Sequence, residues 1–388
     1  MEPKKRLFTP GPTMLPTRVR LAMAEDMIHH RKSAFKAIMA RNARRLGMLF
    51  GTDQPVLPLS ASGTGAMEAA VAGLFAPGET VLVVKAGKFA ERWLDICQTH
   101  GVRGISLDIP WGQAVKPAAL EEALRQNPEV SGVLCQMSET STGVLHPVRS
   151  LAKITRKTSI LLVVDGISGV GVSPCPMDAW GVDCLLTGSQ KGLMLPPGLA
   201  LLALSARAWD KASTVPRKSF YFDLLAERAN TEKQQTHFTS PISLLVGLDE
   251  SLAMFEEAGM EAIFRKQWAM TMMTRAGVAA LGLELFAKKH FAWGVTSLLL
   301  PSGVGASALL AHAAKEYGVI MAAGQGNMKD SMIRIGHMGF VDHVDLLGCL
   351  HALAASFTAC GGYLGSRNYL EQAIGAYEKA MEQGPPEV

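Results

Sequence analysis

The stretch Leu186-Thr-Gly-Ser-Gln-Lys191-Gly-Leu193, with Pro196-Pro-Gly198 just beyond it, sets a lysine between the end of an apolar run and a Pro/Gly-rich loop. Residues 184–187 read as a buried strand and 199–204 as another, so Lys191 falls at a strand end. Most lysines are solvated surface groups, but apolar neighbours here would lower the amine's pKa and free it for nucleophilic attack.

Working outward, short apolar runs alternate with helical stretches. Strands are expected at 80–84, 133–136 and 160–164, and helices at 66–74, 118–126 and 148–157. This alternation argues for an α/β unit with a largely parallel sheet. Past Pro241 the pattern changes: helices at 243–258 and 262–280, strand-like pieces at 294–299 and 332–335, then helices at 342–358 and 368–381. The expected division is an N-terminal segment 1–20, a large domain 21–255 and a smaller α+β domain 256–388.

Three further pieces carry chemistry. Ser60-Ala-Ser-Gly-Thr-Gly-Ala-Met-Glu68 places Gly63, Thr64 and Gly65 before a helix-forming run. That is either a plain turn with a helix cap or a turn offering backbone N–H groups to a phosphate. Glu68 occupies the third glycine position of G-x-G-x-x-G, and no P-loop occurs. Ser159-Ile-Leu-Leu-Val-Val-Asp165-Gly-Ile167 ends a buried strand on a carboxylate, at the edge of a parallel sheet where ligands bind. Such a group either caps the next turn or pairs with a cation, for example a protonated ring nitrogen. Gly166-Ile-Ser168-Gly-Val170 has Val where a hydrolase nucleophile elbow needs Gly. Arg334, read by itself, is either a surface ion-pair partner or a carboxylate clamp.

Bulk properties narrow the class. The chain has 388 residues, 48% hydrophobic and 19% charged, which suits about two packed domains and not disorder. The net charge of +4 is scattered, giving no nucleic-acid footprint. The uncharged run 346–364 contains His351, Ser356, Thr358 and three glycines, and is expected to be a buried helix plus a turn, not a membrane span. No signal core follows the basic start, and the six cysteines form no C-x-x-C and no zinc spacing. No metal site is expected, and the cysteines read as reduced side chains of a cytoplasmic protein.

With the phosphate turn, the strand-end Asp165 and the loop Lys191 in order, the chain resembles class V aminotransferases, most closely the alanine–glyoxylate and serine–pyruvate group. The similarity runs from Thr9-Pro-Gly-Pro12 to Arg334-Ile-Gly336 and includes Glu139-Thr-Ser-Thr-Gly143. It implies the fold-type I PLP-transferase fold: a large domain with a mostly parallel sheet flanked by helices and a smaller C-terminal α+β domain. It implies pyridoxal 5′-phosphate (PLP) on Lys191, with Asp165 at the pyridine nitrogen, Ile167 on one ring face and Phe89 on the other. The phosphate would meet Thr64, Gly65, Ala66 and Gln190, with Thr239 donated by the second subunit of a homodimer with shared active sites. Relatives often carry Trp at position 89, His at 66 and Tyr at 236, so the ring stack is smaller here and one polar contact is missing at Ala66. Thr140 would bond the cofactor's phenolic oxygen and line the substrate pocket, while Gly11 and Arg334 would contact the substrate.

The implied reaction moves an amino group from alanine or serine to glyoxylate or pyruvate. His30-Arg31 before Ser33 and Phe35 resembles a stretch of phosphoserine aminotransferases, which keeps open a substrate with a distal anion, such as phosphoserine or aspartate. A lyase of the cysteine desulfurase type would need a nucleophilic Cys in the loop before Arg334, and residues 321–333 hold none. A protein that kept the fold without catalysis would have had no reason to keep Lys191, Asp165 and Arg334 together.

Overall fold

The computed structural model describes residues 3–387. Its central sheet has seven strands. Across the sheet they run Val56–Leu59, Ala200–Leu204, Cys184–Gly188, Leu161–Asp165, Val130–Gln136, Thr80–Lys85 and Arg103–Asp108. The last five run parallel to one another, whereas Ala200–Leu204 is antiparallel to both of its neighbours. The five strands expected from apolar runs are all present and interior. The two that escaped notice are the sheet edges. Val56–Leu59 is four residues long with Pro58 inside it, and Arg103–Asp108 is half-exposed and lacks an apolar run.

Because side chains alternate across a strand, the two faces separate cleanly. Leu162 and Val164 join one core with Leu82, Val84 and Leu185. Leu161 and Val163 join the other with Met67, Ala70, Trp93 and Leu186. Asp165 continues the parity of 161 and 163. It therefore emerges on the face covered by the helices Gly63–Leu74 and Lys88–Thr99, at the edge where those helices begin.

The C-terminal part builds a second, antiparallel sheet in the order Glu284–Leu285, Val295–Leu299, Met332–Gly336, Ala322–Ala323. It packs in a separate core with Met270, Met273, Leu346, Leu350 and Phe357. Helices Ile242–Ala258 and Met260–Ala280 meet at Gly259. The uncharged run forms helix His343–Ala359 followed by a turn, and no described helix is long and apolar enough to cross a membrane.

The N-terminal segment belongs structurally to this second sheet region before it reaches the site. Arg6–Leu7 pairs in parallel with Val319–Ile320, Phe8 is buried in the C-terminal core, and Gly336 N–H donates to the Phe8 carbonyl at 2.6 Å. The chain then crosses to the Lys191 loop, where Thr13 N–H donates to the Gln190 carbonyl (3.2 Å) and Thr13 Oγ1 to that of Lys191 (3.1 Å).

One buried carboxylate fastens the middle of the sheet. Asp183 is 2% exposed and accepts from Leu162 N–H (2.8 Å), Ser205 Oγ (2.9 Å) and the Arg207 guanidinium (2.5 Å). It thereby joins strand Leu161–Asp165 to helix Ala206–Thr214. Asp183→Ala leaves the half-buried Arg207 and a buried N–H without their partner. We expect a loss of about 3 kcal/mol in unfolding free energy, read by urea titration.

Candidate active site

The carboxyl edge of the sheet gathers the chemistry. One cavity there is lined by Ser62, Gly63, Thr64, Phe89, Arg92, Ser138, Thr140, Asp165, Ile167, Ser168, Gln190 and Lys191. Seven of the expected positions meet in it: Thr64, Phe89, Thr140, Asp165, Ile167, Gln190 and Lys191.

Lys191 lies at the floor. Burial lowers its pKa to about 8, with the charges of Arg334 and Arg92 adding to the effect and Asp165 opposing it. Its Nζ donates to the Pro10 carbonyl. Gly11 passes so close above that a Cβ there would fall 2.4 Å from Nζ, and its φ of +128° also suits glycine alone. The loop bearing the lysine is closed on Ser189: its Oγ donates to the Pro196 carbonyl (2.6 Å), and the Leu195 N–H donates to its carbonyl (3.1 Å).

Asp165 is pushed the other way. Burial raises its pKa to about 6, while the 2.8 Å hydrogen bond from Ile167 N–H and the nearby Arg92 and Lys191 charges pull it down. Ile167 packs onto Gly63, where a Cβ would sit 2.4 Å from Ile167 Cδ1. Helix Gly63–Leu74 opens with no side-chain cap. Gly65 and Ala66 N–H both turn back to the Ser62 carbonyl (2.8 and 3.4 Å), whereas the helix offers Gly63 and Thr64 no such acceptor. Gly65 and Ala66 thus do not reach the cavity. Ala66 is fully buried in the core, and Gly65 faces Ala61 and Phe222.

The opposite wall is held by Glu139, a fully buried carboxylate. It accepts hydrogen bonds from Phe89 N–H (3.4 Å), Ala90 N–H (3.0 Å) and Ser141 N–H (3.1 Å), and from Ser141 Oγ. Ser141 Oγ in turn accepts from Lys88 N–H at 3.0 Å. Two side chains fifty residues away therefore cap the helix that carries Phe89, where a carboxylate also meets the favourable end of the helix dipole. Burial raises the Glu139 pKa and these hydrogen bonds lower it. Gly87 admits the arrangement: a Cβ there would lie 2.4 Å from Ser141 Oγ and 2.6 Å from Glu139 Cδ.

Arg334 is buried, not a surface ion-pair partner. Its Nε donates to the Ala323 carbonyl (2.9 Å) and its Nη1 to that of Thr140 (3.0 Å), fixing the guanidinium between the two sheets. Thr140 Oγ1 shares a 2.9 Å hydrogen bond with Ser168 Oγ. Thr239 is exposed and lies away from this cavity, while Thr236 is buried and donates to the Phe238 carbonyl (2.7 Å). Arg31 reaches Gln235 Oε1 (2.7 Å) and the Thr236 carbonyl (3.0 Å), not the cavity.

The family model for Aminotransferase class-V matches residues 7–344. The chain belongs to the class V aminotransferases. This aminotransferase is 34% identical over 360 residues to the serine–glyoxylate aminotransferase of Methylorubrum extorquens, covering 89% of each chain. It is 36% identical over 365 residues to a protein of a Synechococcus strain named soluble hydrogenase, small subunit, covering 93% of this chain and 95% of that one. Among solved structures, the ureidoglycine–glyoxylate aminotransferase of Bacillus subtilis superposes with a TM-score of 0.93 at 26% identity, covering 97% and 99% of the two chains.

The cofactor of this aminotransferase is PLP, and the cavity suits it. Two buried polar atoms of residues in its wall, Ser138 Oγ and Gln190 Oε1, have no partner within the protein. The uncapped helix start supplies donors for a phosphate, Asp165 an acceptor for a protonated ring nitrogen, and Phe89 and Ile167 an apolar slot for an aromatic ring. Sequence reasoning missed Ser62, Arg92, Ser138 and Ser168. Arg92 was findable, because it follows Phe89 by three residues on one helix and must share its face.

The lowered Lys191 pKa has a direct consequence, since only the neutral amine is a nucleophile. In protein freed of cofactor, labelling of Lys191 by trinitrobenzenesulfonate, followed by peptide mass, should rise with pH through a midpoint near 8. A midpoint near that of a free lysine would show that burial does not act on it.

Proposed function

We propose that this aminotransferase moves the amino group of a small amino acid, alanine or serine, to a small 2-oxo acid, glyoxylate or pyruvate. The observation that carries this is Arg334. Two backbone carbonyls hold its guanidinium in a buried position beside the cavity, and Nη2 is left to receive a carboxylate. Arginine is suited to the task because its planar fork matches a carboxylate oxygen pair. The glyoxylate in the names of two relatives supports the acceptor class.

In this reading Lys191 would hold the cofactor through its Nζ and, when free, would carry a proton to and from the substrate Cα. Bound PLP supplies the electron sink that stabilises charge at that carbon. Asp165 would hold the pyridine nitrogen, Thr140 would bond the phenolic oxygen, and Thr64 and Gln190 would hold the phosphate. Arg334 orients the α-carboxylate so that the Cα hydrogen faces Lys191. Pro10 and Gly11 lie directly against the lysine Nζ and cover it. The exposed Thr239 serves the phosphate of a second subunit in a homodimer.

A distal-anion substrate has less support, because Arg31 is occupied by the loop at 235–237. A desulfurase has less still, because Cys349, the first cysteine after Arg334, is fully buried in the C-terminal core. The test is a half-reaction screen. Holoenzyme is mixed with alanine, serine, aspartate or phosphoserine, and loss of the cofactor's visible absorbance is timed. Alanine or serine should react fastest, and a clear preference for phosphoserine or aspartate would contradict the assignment.

A further inference from the structure

Arg92 is a cation without an assigned purpose. It projects from helix Lys88–Thr99 into the wall of the cavity that holds Asp165 and Lys191. Its only side-chain hydrogen bond among the described residues is from Nη1 to Thr64 Oγ1, at 3.0 Å. No described carboxylate lies within ion-pair distance of it, in contrast to Arg207, which pairs with Asp183. Its guanidinium stands 5.4 Å from the centre of the Phe89 ring, so the residue is held on one side by the aromatic wall and on the other by the turn at 62–64. Burial dominates the pKa values of both Asp165 and Lys191, yet the Arg92 charge is felt at each, which sets it close to the reacting centre.

A half-buried guanidinium with most of its donors unused calls for an anion. The other cavity features locate that anion. The uncapped helix start and the Thr64 hydroxyl lie at the same end as Arg92. We propose that Arg92 is a direct ligand of the cofactor's phosphate, sharing it with Thr64 and the first N–H groups of helix Gly63–Leu74. The inference rests on the turn at 62–64 being the phosphate seat. Arg92 then does two jobs with one side chain: it neutralises the phosphate dianion, and it braces Phe89 against the ring face.

The test compares PLP with pyridoxal, which lacks the phosphate. Each is titrated calorimetrically into cofactor-free protein, for the wild type, Arg92→Lys and Arg92→Gln. Arg92→Gln should weaken PLP binding at least about tenfold, as loss of a charge-assisted hydrogen bond implies, and leave pyridoxal within about twofold. Arg92→Lys should fall between, keeping the charge and losing the fork. Equal weakening of both ligands by both variants would mean that Arg92 acts only through Phe89 or through folding, and would overturn the proposal. So would PLP binding unchanged in Arg92→Gln. A wild type that binds pyridoxal as tightly as PLP would instead remove the phosphate seat itself, and the proposal with it.

Discussion

The site depends on one buried carboxylate that is not among its reacting groups. Glu139 caps the helix bearing Phe89 and Arg92, and the turn it begins makes contacts on both sides of that helix start. Thr140 touches Ser168 through its hydroxyl and Arg334 through its carbonyl, Ser141 completes the cap, and the Gly143 carbonyl accepts from Ala292 N–H beside the second sheet. A carboxylate in apolar surroundings is costly, and four donated hydrogen bonds offset that cost. Through the helix cap and the Thr140 carbonyl, the positions of Phe89, Arg92 and Arg334 are tied to this turn.

Against that frame of hydrogen bonds, burial sets the electrostatics. It displaces Asp165 up to about 6 and Lys191 down to about 8, each toward its neutral form. Between about pH 4 and 6 the folded cofactor-free protein binds the extra proton at Asp165, so stability from this group falls as pH rises. Between about 8 and 10 the unfolded chain binds the extra proton at lysine, so stability rises with pH. The pair is most costly to bury in the interval between, where both are charged in the unfolded chain.

Much of this was legible in the sequence because the decisive residues sit at strand ends. The interior strands announce themselves as apolar runs, and the residue closing each run falls at the sheet edge, which is how Asp165 and Lys191 could be placed. Edge strands lack that signal: Arg103–Asp108 is paired on one side only and has little to bury. The family resemblance places Ala66 at the phosphate turn, but a helix turns each residue about a hundred degrees, carrying its side chain into the core. Arg334 is buried through contacts with Ala323 and Thr140, and the second lies in a distant part of the chain that no local pattern connects to it. Glu139 gives a faint local clue, a lone acid in an otherwise uncharged stretch, yet its partners fifty residues earlier are visible only in the fold.

The central claim is that the ε-amine of Lys191 is where PLP is attached. Holoenzyme reduced with borohydride, digested and mapped by mass should carry a phosphopyridoxyl group on the peptide containing Lys191 and on no other. Label on a different lysine, or none on any, would contradict the account.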